Sequence, residues 1–104
     1  MKFNDIKFES YLDGISAKIN FGHLTLSIIK HSGSYGYKDG LYEIGMFDDN
    51  GKMVEVSDIT MAGDTVKGHQ SEQDIENIIL KLKQKTGVNP EQIAENLVVG
   101  LSTS

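Results

Sequence analysis

Asp13-Gly14-Ile15-Ser16-Ala17-Lys18-Ile19-Asn20-Phe21-Gly22-His23-Leu24-Thr25-Leu26-Ser27-Ile28 decides the fold. Apolar and polar residues alternate on both sides of Gly22-His23, which is the period of a strand with one buried face. A two-residue turn with Gly22 at its first central position, the type II′ geometry that matches strand twist, pairs Phe21 with Leu24, Ile19 with Leu26 and Ala17 with Ile28. All the large apolar members then share one side, so burial specifies the register.

Working outward, Asp13-Gly14 reads as an earlier two-residue turn that brings Ile6, Phe8 and Leu12 onto the face of Ile15, Ala17, Ile19 and Phe21. Asp49-Asn50-Gly51 reads as a third hairpin. A two-residue Asn50-Gly51 turn would leave Ile44 facing polar neighbours, whereas a three-residue loop with Gly51 left-handed sets Met46 against Val54 and Ile44 against Val56. Residues 32–40, Ser-Gly-Ser-Tyr-Gly-Tyr-Lys-Asp-Gly, exceed what a tight hairpin needs and read as an exposed loop. Residues 60–70 hold Gly63, Gly68 and few large apolar side chains, and read as a connection over the surface.

The period then changes. Ser71 with Asp74 three residues on is a capping-box start, and Ile75, Ile78, Ile79 and Leu82 repeat at helical spacing until Gly87 stops the run. A second, short helix is expected from Asn89 as N-cap and Pro90 in the first turn, with Ile93, Ala94 and Leu97 on its apolar side. The tail from Val98 to Ser104 has no composition that chooses between packing, pairing and staying loose.

The expected architecture is one α+β domain over residues 1–104. An antiparallel meander of about five strands (6–59) has one face covered by the first helix, and the helical part spans 71–98. The reverse face carries Ser16, Lys18, Asn20, Thr25, Ser27, Ile29, Glu43 and Glu55, with His31 a further candidate, a mixed surface open to water or a partner.

Composition narrows the function. Acidic residues outnumber basic ones 15 to 10, the formal net charge is −5, and every basic residue is Lys. Duplex readers need a cationic footprint and favour Arg for bidentate contacts, so direct nucleic-acid binding is not expected. Cys is absent, which removes disulfides, thiolate metal ligands and thiol nucleophiles. With no long apolar run after Lys2 and none of membrane-spanning length, a cytoplasmic location is expected.

No motif survives as catalysis. Aligning Asp48-Asp49-Asn50-Gly51 with a calcium loop puts Met46 and Ser57 at ligand positions, and His23, His31 and His69 match no zinc spacing. Gly33, Gly36 and Gly40 lead into a strand rather than a phosphate-holding helix. Leu82, Thr86-Gly87-Val88, Pro90 and Ile93 resemble a helix-turn-helix corner, yet Lys83 replaces the small crossing residue and Glu91 and Glu95 load the would-be reading helix with negative charge. No catalytic residue, metal or cofactor is assigned. Tyr35 and Tyr37 read equally as interface anchors, large in area and low in rotamer entropy, or as rings folded back onto the sheet. With Lys38 and Asp39 of the same loop, and Asp48 and Asp49 of the third hairpin, they form the candidate partner-binding set.

Residues 29–36, Ile-Lys-His-Ser-Gly-Ser-Tyr-Gly, then Gly40-Leu41-Tyr42-Glu43-Ile44 and an Asp/Gly-rich loop entering Ser71-Glu72-Gln73-Asp74, resemble small accessory proteins of phages and prophages of Gram-positive bacteria. Some small acidic members of that group are anti-CRISPR proteins that inhibit host defence nucleases. The resemblance implies a non-enzymatic protein that binds and modulates a host protein, through a basic nucleic-acid-binding surface of a defence nuclease, in the host cytosol. Two other readings stay open: a nucleic-acid-binding regulator using the C-terminal helix pair, and an oligomeric small-ligand-binding protein.

Overall fold

The computed structural model describes residues 1–93. Strands β1 (Glu9–Tyr11), β2 (Gly14–Asn20), β3 (Leu24–Lys30), β4 (Tyr42–Asp48) and β5 (Val66–Gln70) form an antiparallel sheet in chain order, followed by helix α1 (Glu72–Thr86) and a short strand β6 (Glu91–Ile93). This is the expected α+β class. Ile19 opposes Leu26 and Ala17 opposes Ile28, the register derived from burial, and Gly22 takes φ +83 at the turn. Ile75, Ile78, Ile79 and Leu82 of α1 are buried in one cluster with Ile19, Phe21, Leu26, Ile28, Ile44 and Met46 of the sheet. Ser71 caps the helix through the reciprocal bonds of a capping box, and Gly87 closes it at φ +70.

The first hairpin turns one residue earlier than expected. Tyr11 opposes Gly14, so Leu12 and Asp13 are the central residues, and the pairing slips by two while keeping each side chain on its face. Two contacts select this register. A Cβ on residue 14 would lie 1.9 Å from the Lys30 carbonyl oxygen, so the glycine serves a close approach between β2 and β3 rather than the turn. The Asp13 carboxylate accepts from the Ser32 N–H at 3.0 Å, tying this turn to the β3–β4 loop. Leu12 therefore stands at an exposed tip and not on the core face.

The third hairpin forms as derived, with Gly51 at φ +79 and the Val54 N–H donating to Met46 at 2.9 Å, but the fifth strand does not continue from it. Pairing to β4 stops after a single bridge between Phe47 and Met53. Residues 56–60 form a turn that drives Ile59 into the core, closed by the Ile59 and Thr60 N–H groups on the Val56 carbonyl. The edge of β4 then goes to Val66–Gln70, a segment expected to be a surface connection: Gly45 opposes Val66, Ile44 opposes Lys67 and Tyr42 opposes Gln70. Two residues, Gly68 and His69, sit opposite Glu43 alone. This β-bulge holds His69 at φ +56, a conformation uncommon for a side chain with a Cβ.

The start expected for a second helix is a strand. Glu91–Ile93 pairs antiparallel with Asn20–Lys18, on the same edge of β2 whose other half holds β1. The Gln92 carboxamide accepts from the Lys7 N–H at 2.8 Å and donates to the Lys7 carbonyl, imitating a peptide group and joining β6 to the segment ahead of β1. Helical propensity after Pro90 is outweighed by these edge bonds. The remainder of the expected helix and the tail lie outside the described residues.

Candidate partner-binding site

The β3–β4 loop is built from its backbone outward. The Ser34 hydroxyl donates to the His31 carbonyl and accepts from the His31 N–H, and the Gly33 N–H donates to His31 Nδ1 at 3.0 Å. Residues Tyr37–Asp39 form one 3-10 turn between Gly36 and Gly40. Tyr35 is pinned on both sides: its N–H donates to Glu43 Oε1 at 2.8 Å, and its carbonyl accepts from the His69 N–H at 3.2 Å. The loop thus nests in the β5 bulge, and the bulge explains why β5 can offer that N–H outward.

Tyr35 is 64% exposed and Tyr37 38%, and Lys38 and Asp39 are exposed beside them. Tyr11 and Leu12 of the first hairpin lie at the same end of the sheet, 41% and 75% exposed, with the Tyr11 ring edge-on to His31 at 5.4 Å. Asp13, whose carboxyl is held below the usual aspartate range by the Ser32 hydroxyl and then its N–H, braces that turn. Tyr11 and Leu12 escape a reading of alternation because the two-residue slip is what moves them to the tip.

Asp48 and Asp49 are not part of this end. Asp48 ends β4, about 20 Å along the strand from Tyr42 at its usual rise, and Asp49 follows it. Asp48 Oδ1 is occupied by the Asn50 and Lys52 N–H groups and closes the hairpin, while Asp49 is exposed. Both border a groove of about 480 Å³ on the reverse face, lined also by Glu9 of β1, Ser16, Lys18 and Asn20 of β2, Thr25 of β3 and Phe47 of β4. The candidate set therefore divides between an aromatic end and a polar trough.

Among the described residues no three His, Asp or Glu side chains come within reach of a shared metal ion, and no helix is long and apolar enough to cross a membrane. No protein-family model, curated protein or solved structure matches this chain.

Proposed function

We propose that the protein is a non-enzymatic binding module that engages a larger protein through the Tyr35/Tyr37 end of its sheet. The observation that carries this reading is the contrast at Tyr35, whose backbone is bonded at both N–H and carbonyl while its ring stands free in water. A fixed backbone removes most of the ordering cost of binding, and tyrosine adds contact area with few rotamers to freeze. Tyr37, Tyr11 and Leu12 are further exposed side chains at the same end of the sheet, and Lys38 and Asp39 beside Tyr37 supply charge.

In the form implied by the phage-type resemblance, the partner is a host protein with a basic nucleic-acid-binding surface, such as a defence nuclease, and the net charge of −5 favours that encounter. Affinity purification from a Gram-positive host lysate tests it. The wild-type chain is expected to retain a specific host protein in a salt-sensitive manner, and a Tyr35→Ala/Tyr37→Ala variant of unchanged melting temperature to retain at least about tenfold less. Equal retention by the two would remove the loop from the site. The helix-pair reading has less support, because Glu91–Ile93 is a strand.

A further inference from the structure

Three turns of this protein are closed in the same way, by a side-chain acceptor that takes the backbone N–H two residues further on. Asn20 Oδ1 accepts from the Gly22 N–H at 2.9 Å, Asp48 Oδ1 from the Asn50 N–H at 2.9 Å, and His31 Nδ1 from the Gly33 N–H at 3.0 Å. Asn and Asp are the usual residues for this bond, since a short side chain sets an oxygen over the second amide. Histidine differs in one respect. Its Nδ1 accepts only while unprotonated, and histidine is the side chain that ordinarily gains charge between about pH 5 and 8. A proton on Nδ1 would aim a donor at the Gly33 N–H, so the closed turn and an imidazolium protonated there exclude each other.

From this contrast we infer that His31 is a proton-operated latch at the root of the β3–β4 loop: neutral, it closes the turn behind Tyr35; protonated, it releases Gly33 and turns toward Asp13. The root is short and built on His31, whose N–H and carbonyl are both bonded to Ser34, the residue before Tyr35. His31 is half-buried and so open to protons. Asp13 on the first hairpin offers the charged ring a partner: its carboxyl is depressed first by the Ser32 hydroxyl and, in smaller part, by the charge of His31. The other ionisable groups around the root are placed differently. Tyr11 meets the imidazole edge-on at 5.4 Å, Glu43 of β4 is bonded to the Tyr35 N–H, His69 of β5 has an exposed side chain, and the Lys30 ammonium lies over the Tyr42 ring at 5.0 Å. Each form of His31 thus has its own partner, which makes the root a two-state element biased by pH. Acid then weakens binding by the Tyr35/Tyr37 end, a consequence that rests on the function proposed above.

Imidazole and amide nitrogen spectra of the full chain, recorded from about pH 8 to about pH 5, test the latch. The neutral His31 ring is expected to carry its proton on Nε2, and the Gly33, Ser34 and Tyr35 amides to shift with the His31 midpoint while the Asn50 amide stays still. Protection of the Gly33 amide from hydrogen exchange, corrected for the intrinsic rate, should fall about tenfold in acid. His31→Asn keeps an acceptor oxygen and removes the titration, so its turn should hold across the range, whereas His69→Gln should behave as wild type. A host protein captured near neutral pH should be released in acid by the wild-type chain and kept by His31→Asn. The latch is overturned by a neutral ring protonated on Nδ1, by undiminished Gly33 protection in acid, by the same amide shifts in His31→Asn, or by equal acid release from that variant. Capture of no host protein at either pH would instead remove the tyrosine-end reading, with the spectra still deciding the latch.

Discussion

At Gly68 the backbone of β5 passes so close to the β3–β4 loop that a Cβ there would lie 2.3 Å from the Tyr35 Cβ and 3.2 Å from its carbonyl oxygen. Either the loop or the strand must give. Gly68→Ala is therefore expected to destabilise the protein by about 1–3 kcal/mol, the usual cost of forcing an extra carbon into a packed site, as read by urea denaturation. Retention of the proposed protein partner should fall in parallel, because the displaced residue is the one on which that proposal rests. Neither consequence is legible in the string Lys67-Gly68-His69: a glycine among polar residues says only that a loop is permitted. The same holds for Gly14, read as a turn residue on local chemistry and used instead where β2 passes the Lys30 carbonyl.

Helix α1 is the element whose ends and face were written most plainly. Ser71 Oγ accepts from the Asp74 N–H at 3.0 Å, and Asp74 Oδ2 accepts from the Ser71 N–H at 2.9 Å. Removing the hydroxyl in Ser71→Ala is expected to cost about 1 kcal/mol in chemical denaturation. The Ser71 N–H, and then its hydroxyl, hold the Asp74 carboxyl below the ordinary aspartate value. A carboxyl depressed by folding adds stability that is complete above its unfolded pKa of about 3.9 and is lost as pH falls through the lower folded value. Stability should thus decline below about pH 4, and the decline should be shallower in Asp74→Asn, as measured by thermal melts across the acid range. β5 contrasts with α1. An edge strand needs only one face partly buried, and Val66 is the lone large apolar residue among its five, so its alternation was too faint to separate it from a connection.

Across the whole molecule, stability rests on one layer of helix against one face of sheet. Leu82 is fully buried in that layer, whereas Leu80, two residues earlier on the same helix, is 55% exposed. Leu82→Ala is expected to cost about 2–5 kcal/mol and Leu80→Ala less than about 0.5 kcal/mol, a contrast that equilibrium unfolding resolves and that would vanish if α1 packed by another face. Both sheet edges are blunted by short segments: β1 and β6 share the edge of β2, and the Tyr35 carbonyl and Met61 N–H engage β5. Among the described residues this arrangement leaves little strand edge for a partner to extend, which fits the proposed use of the tyrosine end.

The sequence by itself determined the fold class, the face of each central strand, the β2–β3 register and the buried stripe of α1, because these follow from periodicities of two and 3.6 read against a single core. Tertiary structure alone decided the slip of the first hairpin, the replacement of the fifth strand by Val66–Gln70, the strand at Glu91–Ile93 and the exposure of Tyr11 and Tyr35. Each of those is a choice between several locally acceptable pairings. It is settled by backbone approach distances and hydrogen bonds between residues far apart in the chain, Gly14 with Lys30, Tyr35 with His69 and Lys7 with Gln92, which no local pattern encodes.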